Sequence, residues 1–319
     1  MAARLLPDRF ILWLLAAVAL AAALPVAGAA AEAVDVLTLA AIFVLFFLHG
    51  VRLPREALLA GVTDWRLHLA ILALTFALFP LAGLGLSLAL PGLLAPELWT
   101  GLLFLCALPS TVQSSIAYTS IARGNVAGAV AAAAFSNLIG VFLTPLLAAL
   151  MLEAQGVQLS LGGILRIFAL LFLPFLLGHA VRPWLSRAVA ARPRLTTFVD
   201  KGTILLAVYG AFSAATVEGV WRRVPAGEIA LLTMLLLLLL GLVLAAAWAV
   251  GRLGRFPDES RAAILFCGSV KSLASGAPMA RILFPGAAAG VVLVPIMIFH
   301  TLQLVVSAWI AGAMARRES

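Results

Sequence analysis

A chain of 319 residues that is 64% hydrophobic and only 11% charged, with a mean hydropathy of +1.16, has too little polar surface to coat a soluble globule. Its formal charge of +8 would suit nucleic acid, but the arginines are dispersed in short loops between apolar runs, which removes that partner. Apolar runs of about 20 residues, such as Leu231 to Val250, define helices, because in lipid only helices and closed barrels satisfy the backbone. The chain therefore reads as an all-α polytopic protein of a lipid bilayer.

In chain order, Arg4, Arg9, the run Phe10 to Leu24 and Ala29-Ala30-Ala31 imitate a signal peptide with a small-residue cleavage site. The run is kept as the first span, because removing it leaves an odd number of spans and spoils the charge asymmetry. Ten spans are predicted, centred near Ala19, Phe43, Phe76, Ser110, Asn137, Phe172, Val208, Leu238, Val270 and Phe299. Pro91-Gly92, Arg182-Pro183 and Phe256-Pro257 punctuate the loops, and Arg123-Gly124-Asn125 reads as a tight turn. Cys106 and Cys267 fall inside spans and read as packing residues. With both termini in the cytoplasm, sixteen of the 21 lysines and arginines lie on that side. Four (Arg166, Arg222, Arg223 and Arg281) lie opposite and Lys271 lies within the membrane, a positive-inside pattern that predicts an integral protein of the cytoplasmic (inner) membrane.

Two spans are unusual. The fourth carries Pro109-Ser110-Thr111-Val112-Gln113-Ser114-Ser115, where Pro109 lacks an amide and disfavours helical geometry at Leu108, so a break there frees backbone carbonyls. The ninth carries Gly268, Ser269, Lys271, Ser272, Ser275, Gly276 and Pro278, with a break expected from Gly268 to Pro278. Leu103 to Ala107 recurs as Ile264 to Gly268 at an offset of 161 positions, half the chain. Two inverted five-helix repeats, 1–155 and 156–319, follow from that offset and five spans per half, with the fourth and ninth helices broken.

Paired interruptions of this kind point to a midplane binding site. Helix N-termini there attract anions, and freed carbonyls with hydroxyl or amide oxygens suit a small cation. The candidate residues are Ser110, Thr111, Gln113, Ser114 and Ser115 in the fourth span with Gly268, Ser269, Lys271, Ser272 and Ser275 in the ninth. His300 is a candidate proton relay, while His49 and His179 read as interfacial and Gln303 and Tyr118 as bonds between helices. An intramembrane lysine costs several kcal/mol unless it faces a bundle interior or cavity, so Lys271 marks function. An enzyme reading through a Ser-Lys pair lacks a third orienting group and any His-Glu-x-x-His metal motif, and a simple channel fits broken inverted repeats less well than alternating access.

The run Leu108 to Asn125, together with Phe135-Ser136-Asn137-Leu138, Leu143-Thr144-Pro145, Lys271 to Gly276 and His300, resembles the bile acid:sodium symporter superfamily. Its nearest likeness is the branch of bacterial symporter-like proteins, a yeast calcium-homeostasis regulator and a vertebrate orphan carrier. The resemblance covers nearly the whole chain. It implies a panel domain and a core domain, crossing unwound helices, and a sodium site drawing on Ser114, Ser115, Ser136 and Asn137 with backbone oxygens near Gly268 and Ser269. Cys267 and Lys271 stand where bile acid carriers of the superfamily place a Glu and a Gln as sodium ligands, a departure that speaks against two-sodium coupling. Three roles stay open for Lys271: an ammonium standing in for one sodium, a proton donor during turnover, or a structural lysine paired with unwound carbonyls. The expected function is secondary active symport of a small organic anion with sodium or a proton, and no cofactor beyond the coupling ion; an ion-homeostasis regulator without net transport is the alternative.

Overall fold

A computed structural model describes residues 9–52, 64–153, 161–222, 224–284 and 286–317, with side chains described for all of these except 9, 161–168 and 317. The described chain is helical throughout. Before the first break come α1 (Arg9–Ala23), α2 (Ala29–Arg52), α3 (Trp65–Ala89) and α4 (Pro96–Ala107). After it come α5 (Gln113–Ile121), α6 (Val126–Glu153), α7 (Leu161–Ala180), α8 (Arg182–Ala190), α9 (Pro193–Val217) and α10 (Ala226–Leu253). The chain closes with α11 (Asp258–Gly268), α12 (Leu273–Leu283) and α13 (Ala288–Arg317).

Local signals set the boundaries. Proline sits at or just before the start of α4 (Pro96), α9 (Pro193), α10 (Pro225) and α11 (Pro257), where its missing amide is harmless. Glu97, Glu228, Asp258 and Glu259 in first turns favour the positive ends of the helix dipoles. The turn from α5 to α6 places Arg123, not Gly124, in the left-handed region with φ of 55°, and Asn125 N–H donates to the Glu259 carbonyl at the head of α11 (2.8 Å). In α3 the ladder slips into a π turn over Leu74–Leu78.

Seven described helices or helix pairs are long and apolar enough to cross a membrane, or eight if the bent pair Ala169–Ala180 and Arg182–Ala190, folded by 91°, is one span. Phe10–Ala23 and Pro96–Ala107 are shorter apolar helices. Each of the ten predicted centres falls in a helix or, at Ser110 and Val270, in a break between two. Burial orders the bundle: the stretch Asp258–Leu283 is 94% buried, against 33–50% for the other long spans, so the Lys271 segment is the innermost.

Two groups of helices follow from the packing. α1, α2, α7 and α9 lie against one another, α2 running along α7 and α1 along α9. α3 to α6 and α10 to α13 form the other group, with α4 against α13, α10 against α11 and α5 against α11. α9 joins the groups through α12 and α13. Edge-to-face rings fill the interior, Phe79 on Phe299 at 5.9 Å and Phe104 on Phe284 at 5.3 Å, while Met234, Leu238 and Trp248 of α10 are exposed, as a lipid-facing stripe must be.

Candidate functional site

The two breaks lie side by side at the centre of the molecule. The first runs from Leu108 to Val112, with Leu108 extended at φ −68° and ψ 152°, as the proline after it requires. The second is shorter than the sequence suggests: only 269–272 leave the helix, and α12 runs through Pro278, whose ring falls inside it. Ser272 caps α12, its Oγ accepting from Ser275 N–H at 3.1 Å, so the new helix is stable enough to tolerate one absent amide further along. The breaks are stitched together by Ser272 N–H donating to the Pro109 carbonyl at 2.9 Å.

Their contacts are reciprocal. Ser110 Oγ, in the first break, donates to the Cys267 carbonyl at the end of α11 (2.6 Å). Lys271 Nζ, in the second, donates to the Cys106 carbonyl at the end of α4 (2.7 Å). The backbone amide of each reaching residue is held by a side chain of the next long helix: Ser110 N–H by Ser136 Oγ of α6 at 3.1 Å, and Lys271 N–H by Gln303 Oε1 of α13 at 2.8 Å. Gln303 Nε2 returns a bond to the Lys271 carbonyl at 2.9 Å and meets His300 Nδ1 at 3.1 Å. Thr111 with Ser114, and Ser272 with Ser275, make matching hydroxyl pairs at the starts of α5 and α12.

Lys271 is 1% exposed, and its ammonium is fully satisfied. Nζ donates to three main-chain carbonyls, those of Thr75, Cys106 and Leu108, each at 2.7 Å, and sits 4.2 Å from the centre of the Phe79 ring. The sequence explains why all three oxygens are available. The π turn hands Phe79 N–H to the Leu74 carbonyl, so the next partner for Thr75 is Pro80, which has no N–H. Cys106 would bond Ser110 N–H in an unbroken helix, but that amide is held by Ser136. Leu108 stands where the helix has already ended.

Asn137 ties the breaks laterally. Its Nδ2 donates to the carbonyls of Ser110 (2.8 Å) and Ala133 (2.9 Å), and its Oδ1 accepts from Ser275 Oγ at 2.9 Å. Ser115 Oγ lies 3.3 Å from the Phe266 carbonyl and 3.2 Å from Thr111 Oγ1. Ser114, Ser115, Ser136 and Asn137 thus belong to one network of hydroxyl, amide and carbonyl oxygens with no carboxylate in it. That donor set fits a monovalent cation, and among the described residues no three His, Cys, Asp or Glu side chains gather as a divalent metal would need.

Over the breaks opens a cavity of about 890 Å³. Of the predicted residues, Thr111, Gln113, Ser114, Asn137, Ser272, Ser275 and His300 line it. Ser110, Ser115, Ser136, Gly268, Ser269 and Lys271 lie buried behind that wall, with Ser269 Oγ bonded back to the Leu265 carbonyl at 2.5 Å. The cavity touches α2 only over Leu45 to Arg52 and α9 only over Thr197 to Ile204, so it is confined to one end of the bundle. Its charged rim was not legible in the sequence: Arg52 grips Asp200 with two bonds of 2.9 and 2.7 Å, with His49 4.0 Å from the same carboxylate and Lys201 over the Phe10 ring. At the other end of α2, 17 residues or about 25 Å away, Asp35 pairs with Arg281 of α12.

A helical membrane protein with two helix breaks meeting at a polar-floored cavity belongs to the class of carriers rather than of enzymes. Residues 8–316 match the SBF-like CPA transporter family, and the chain belongs to it. It is 48% identical over 316 residues to an uncharacterised protein of Pseudomonas aeruginosa, covering 99% of this chain and 95% of that one. It is 43% identical over 310 residues to YfeH of Escherichia coli, provisionally named a symporter, covering 97% and 93%. Sodium/bile acid cotransporter 7 of Danio rerio is 25% identical over 291 residues, 86% of this chain and 85% of that one.

Proposed function

We propose that the protein is a secondary active carrier that moves a small organic anion across the cytoplasmic membrane in symport with a cation, sodium or a proton. The observation that carries this reading is the cavity floored by two helix starts. The N-terminal ends of α5 and α12, with Thr111, Ser114, Ser272 and Ser275, present their positive dipole ends and hydroxyls to the same space. A volume of about 890 Å³ lies in the range of small-molecule sites. Two basic side chains at the rim, Arg52 and Lys201, against one carboxylate, Asp200, favour an anionic solute there. The names of YfeH and of the cotransporter agree with symport, and the latter with sodium and an organic anion.

Ten spans in two inverted halves, 1–155 and 156–319, belong to the same proposal. Its support is the reciprocity of the crossing: residues 110 and 271, 106 and 267, 111 and 272, 114 and 275 are each 161 positions apart, Ser110 and Lys271 each reach across to the carbonyl of the other half at 267 and 106, and 111 with 114 and 272 with 275 pair their hydroxyls within their own halves. The helices keep step, α3 with α10, α4 with α11 and α5 with α12. Five elements per half place the repeats in opposite senses across the bilayer, with the rim of the cavity and both termini on the arginine-rich, cytoplasmic side.

Purified protein in sealed liposomes tests the reading. Saturable accumulation of an organic anion from a panel, driven by an imposed sodium or pH gradient and absent without one, is the expected result. Binding of an anion or cation with no accumulation under either gradient would overturn it in favour of a regulator.

A further inference from the structure

We propose that the Lys271 ammonium is a tethered cation seated in a preformed monovalent-cation site, so that the chain supplies by its own side chain a charge that a free ion would otherwise bring. The inference deepens the carrier reading of the same crossing, but its test reads stability and does not need flux.

Three features carry it. The first is the cage: three main-chain oxygens from two elements converge at 2.7 Å on one nitrogen, and each is available because a proline or a helix end has removed its amide partner. Carbonyl oxygens gathered in this way replace the hydration shell of a small cation. Two of them, Cys106 and Leu108, lie at the end of α4, where the helix dipole is negative. The second is the missing counter-ion. None of the described ion pairs includes Lys271, so among the described residues its charge is balanced by these dipoles and by the faces of Phe79 and Phe76. The third is the contrast within the crossing. Ser110 makes the corresponding reach to Cys267 with a neutral hydroxyl at 2.6 Å, which shows that tying the breaks together does not by itself require a charge. A purely structural link would be cheaper as a hydroxyl, because a buried ammonium loses its hydration. The cage at Cys106 holds a cation because its dipoles are arranged for one. Lys271 does not line the cavity, so this cation stays with the protein when a solute leaves.

Lys271→Met keeps the packed stem and empties the cage. Melting of wild type and variant in detergent is compared in the chlorides of ammonium, sodium, potassium and the bulky N-methyl-D-glucamine. The variant should melt below wild type in the bulky cation, and at least one small cation should raise it by about 3 °C once in tenfold excess over its dissociation constant. Wild type, its cage being full, should respond to the same cation by about 1 °C or less, or, for a cation that also binds the network of Ser114, Ser115, Ser136 and Asn137, by clearly less than the variant does. Ammonium is the most informative probe, since it enters buried sites as neutral ammonia. Equal responses of variant and wild type, or none, would overturn the tethered cation. Should the methionine variant not be recovered folded, Lys271→Gln is put through the same comparison under the same criterion. Absence of driven uptake in liposomes would instead sink the carrier reading and leave this result standing.

Discussion

At the residue scale, Asn137 is the side chain on which the two breaks depend most openly, because it faces the cavity and still holds three bonds to other groups. Truncating it leaves the Ser110 carbonyl and Ser275 hydroxyl without that partner, at a cost of about 1–3 kcal/mol. Asn137→Ala should therefore melt several degrees lower and lose about tenfold or more of driven uptake. Retention of wild-type uptake by a correctly folded variant would place the solute elsewhere. Ser136→Ala makes a contrasting case. Its hydroxyl lies behind the cavity wall and holds the Ser110 amide, so the variant should lose stability by about 1–2 kcal/mol while the affinity for the solute, read from the half-saturating concentration, changes less than for Asn137→Ala. Lys271 was legible in the sequence because a charge in an apolar run stands out. Its partners were not, because they are carbonyls of Thr75, Cys106 and Leu108, more than 160 positions away, and every residue has a carbonyl. Pro80 and Pro109 were the available signals, and only Pro109 was read as releasing one. Gln303 was read as a bond between helices, which it is; that it clamps the backbone of Lys271 from both sides needed coordinates.

At the scale of elements, hydropathy gave the helices, seven or eight of them long enough to span, and proline gave the first break, but the close approach of α2 to α7 left no trace that composition distinguishes. A Cβ placed on Gly50 would stand 2.0 Å from the Phe175 carbonyl, and one on Gly178 would stand 2.0 Å from the Phe47 carbonyl. Both obstacles are backbone, so neither can rotate away. Gly50→Ala or Gly178→Ala must push the two helices apart and should cost about 1–3 kcal/mol, read as a fall of several degrees in melting temperature. Gly241→Ala in α10 is the matched control: nothing lies within 4 Å of its added methyl, and a glycine in mid-helix gives way to alanine with a gain of about 0.5–1 kcal/mol. Equal effects at the three positions would show that α2 and α7 do not pack as described. The second break illustrates the limit of sequence punctuation. Pro278 and Gly276 suggested a long interruption, yet the Ser272 cap restarts the helix five residues before Pro278, because a capped start with its first amides satisfied outweighs one absent amide downstream.

For the whole molecule, the two ends of α2 behave oppositely. At the Arg52 end the cavity is open between the two groups of helices; at the Asp35 end Arg281, only 8% exposed along its side chain, ties α12 to α2 and holds the groups together. If the proposed carrier works by rocking one group against the other, this pair must part. Asp35 is 56% exposed, so the pair contributes about 1 kcal/mol or less, and removing it should change the ratio of the two orientations by about two- to fivefold. Cys106 and Cys267 are fully buried, so a single added thiol can report the change without a cysteine-free background. In Ala274→Cys, an exposed, cavity-lining position on the same helix as Arg281, a membrane-impermeant thiol reagent applied from the Asp35 face should react about two- to fivefold faster when Asp35→Asn is added. The rate from the opposite face should not rise, because the same shift that exposes position 274 to one side withdraws it from the other. An unchanged ratio of the two rates would mean that the Asp35–Arg281 pair is an ornament of the surface and that closure at this end depends on the packing of α9 against α12 and α13.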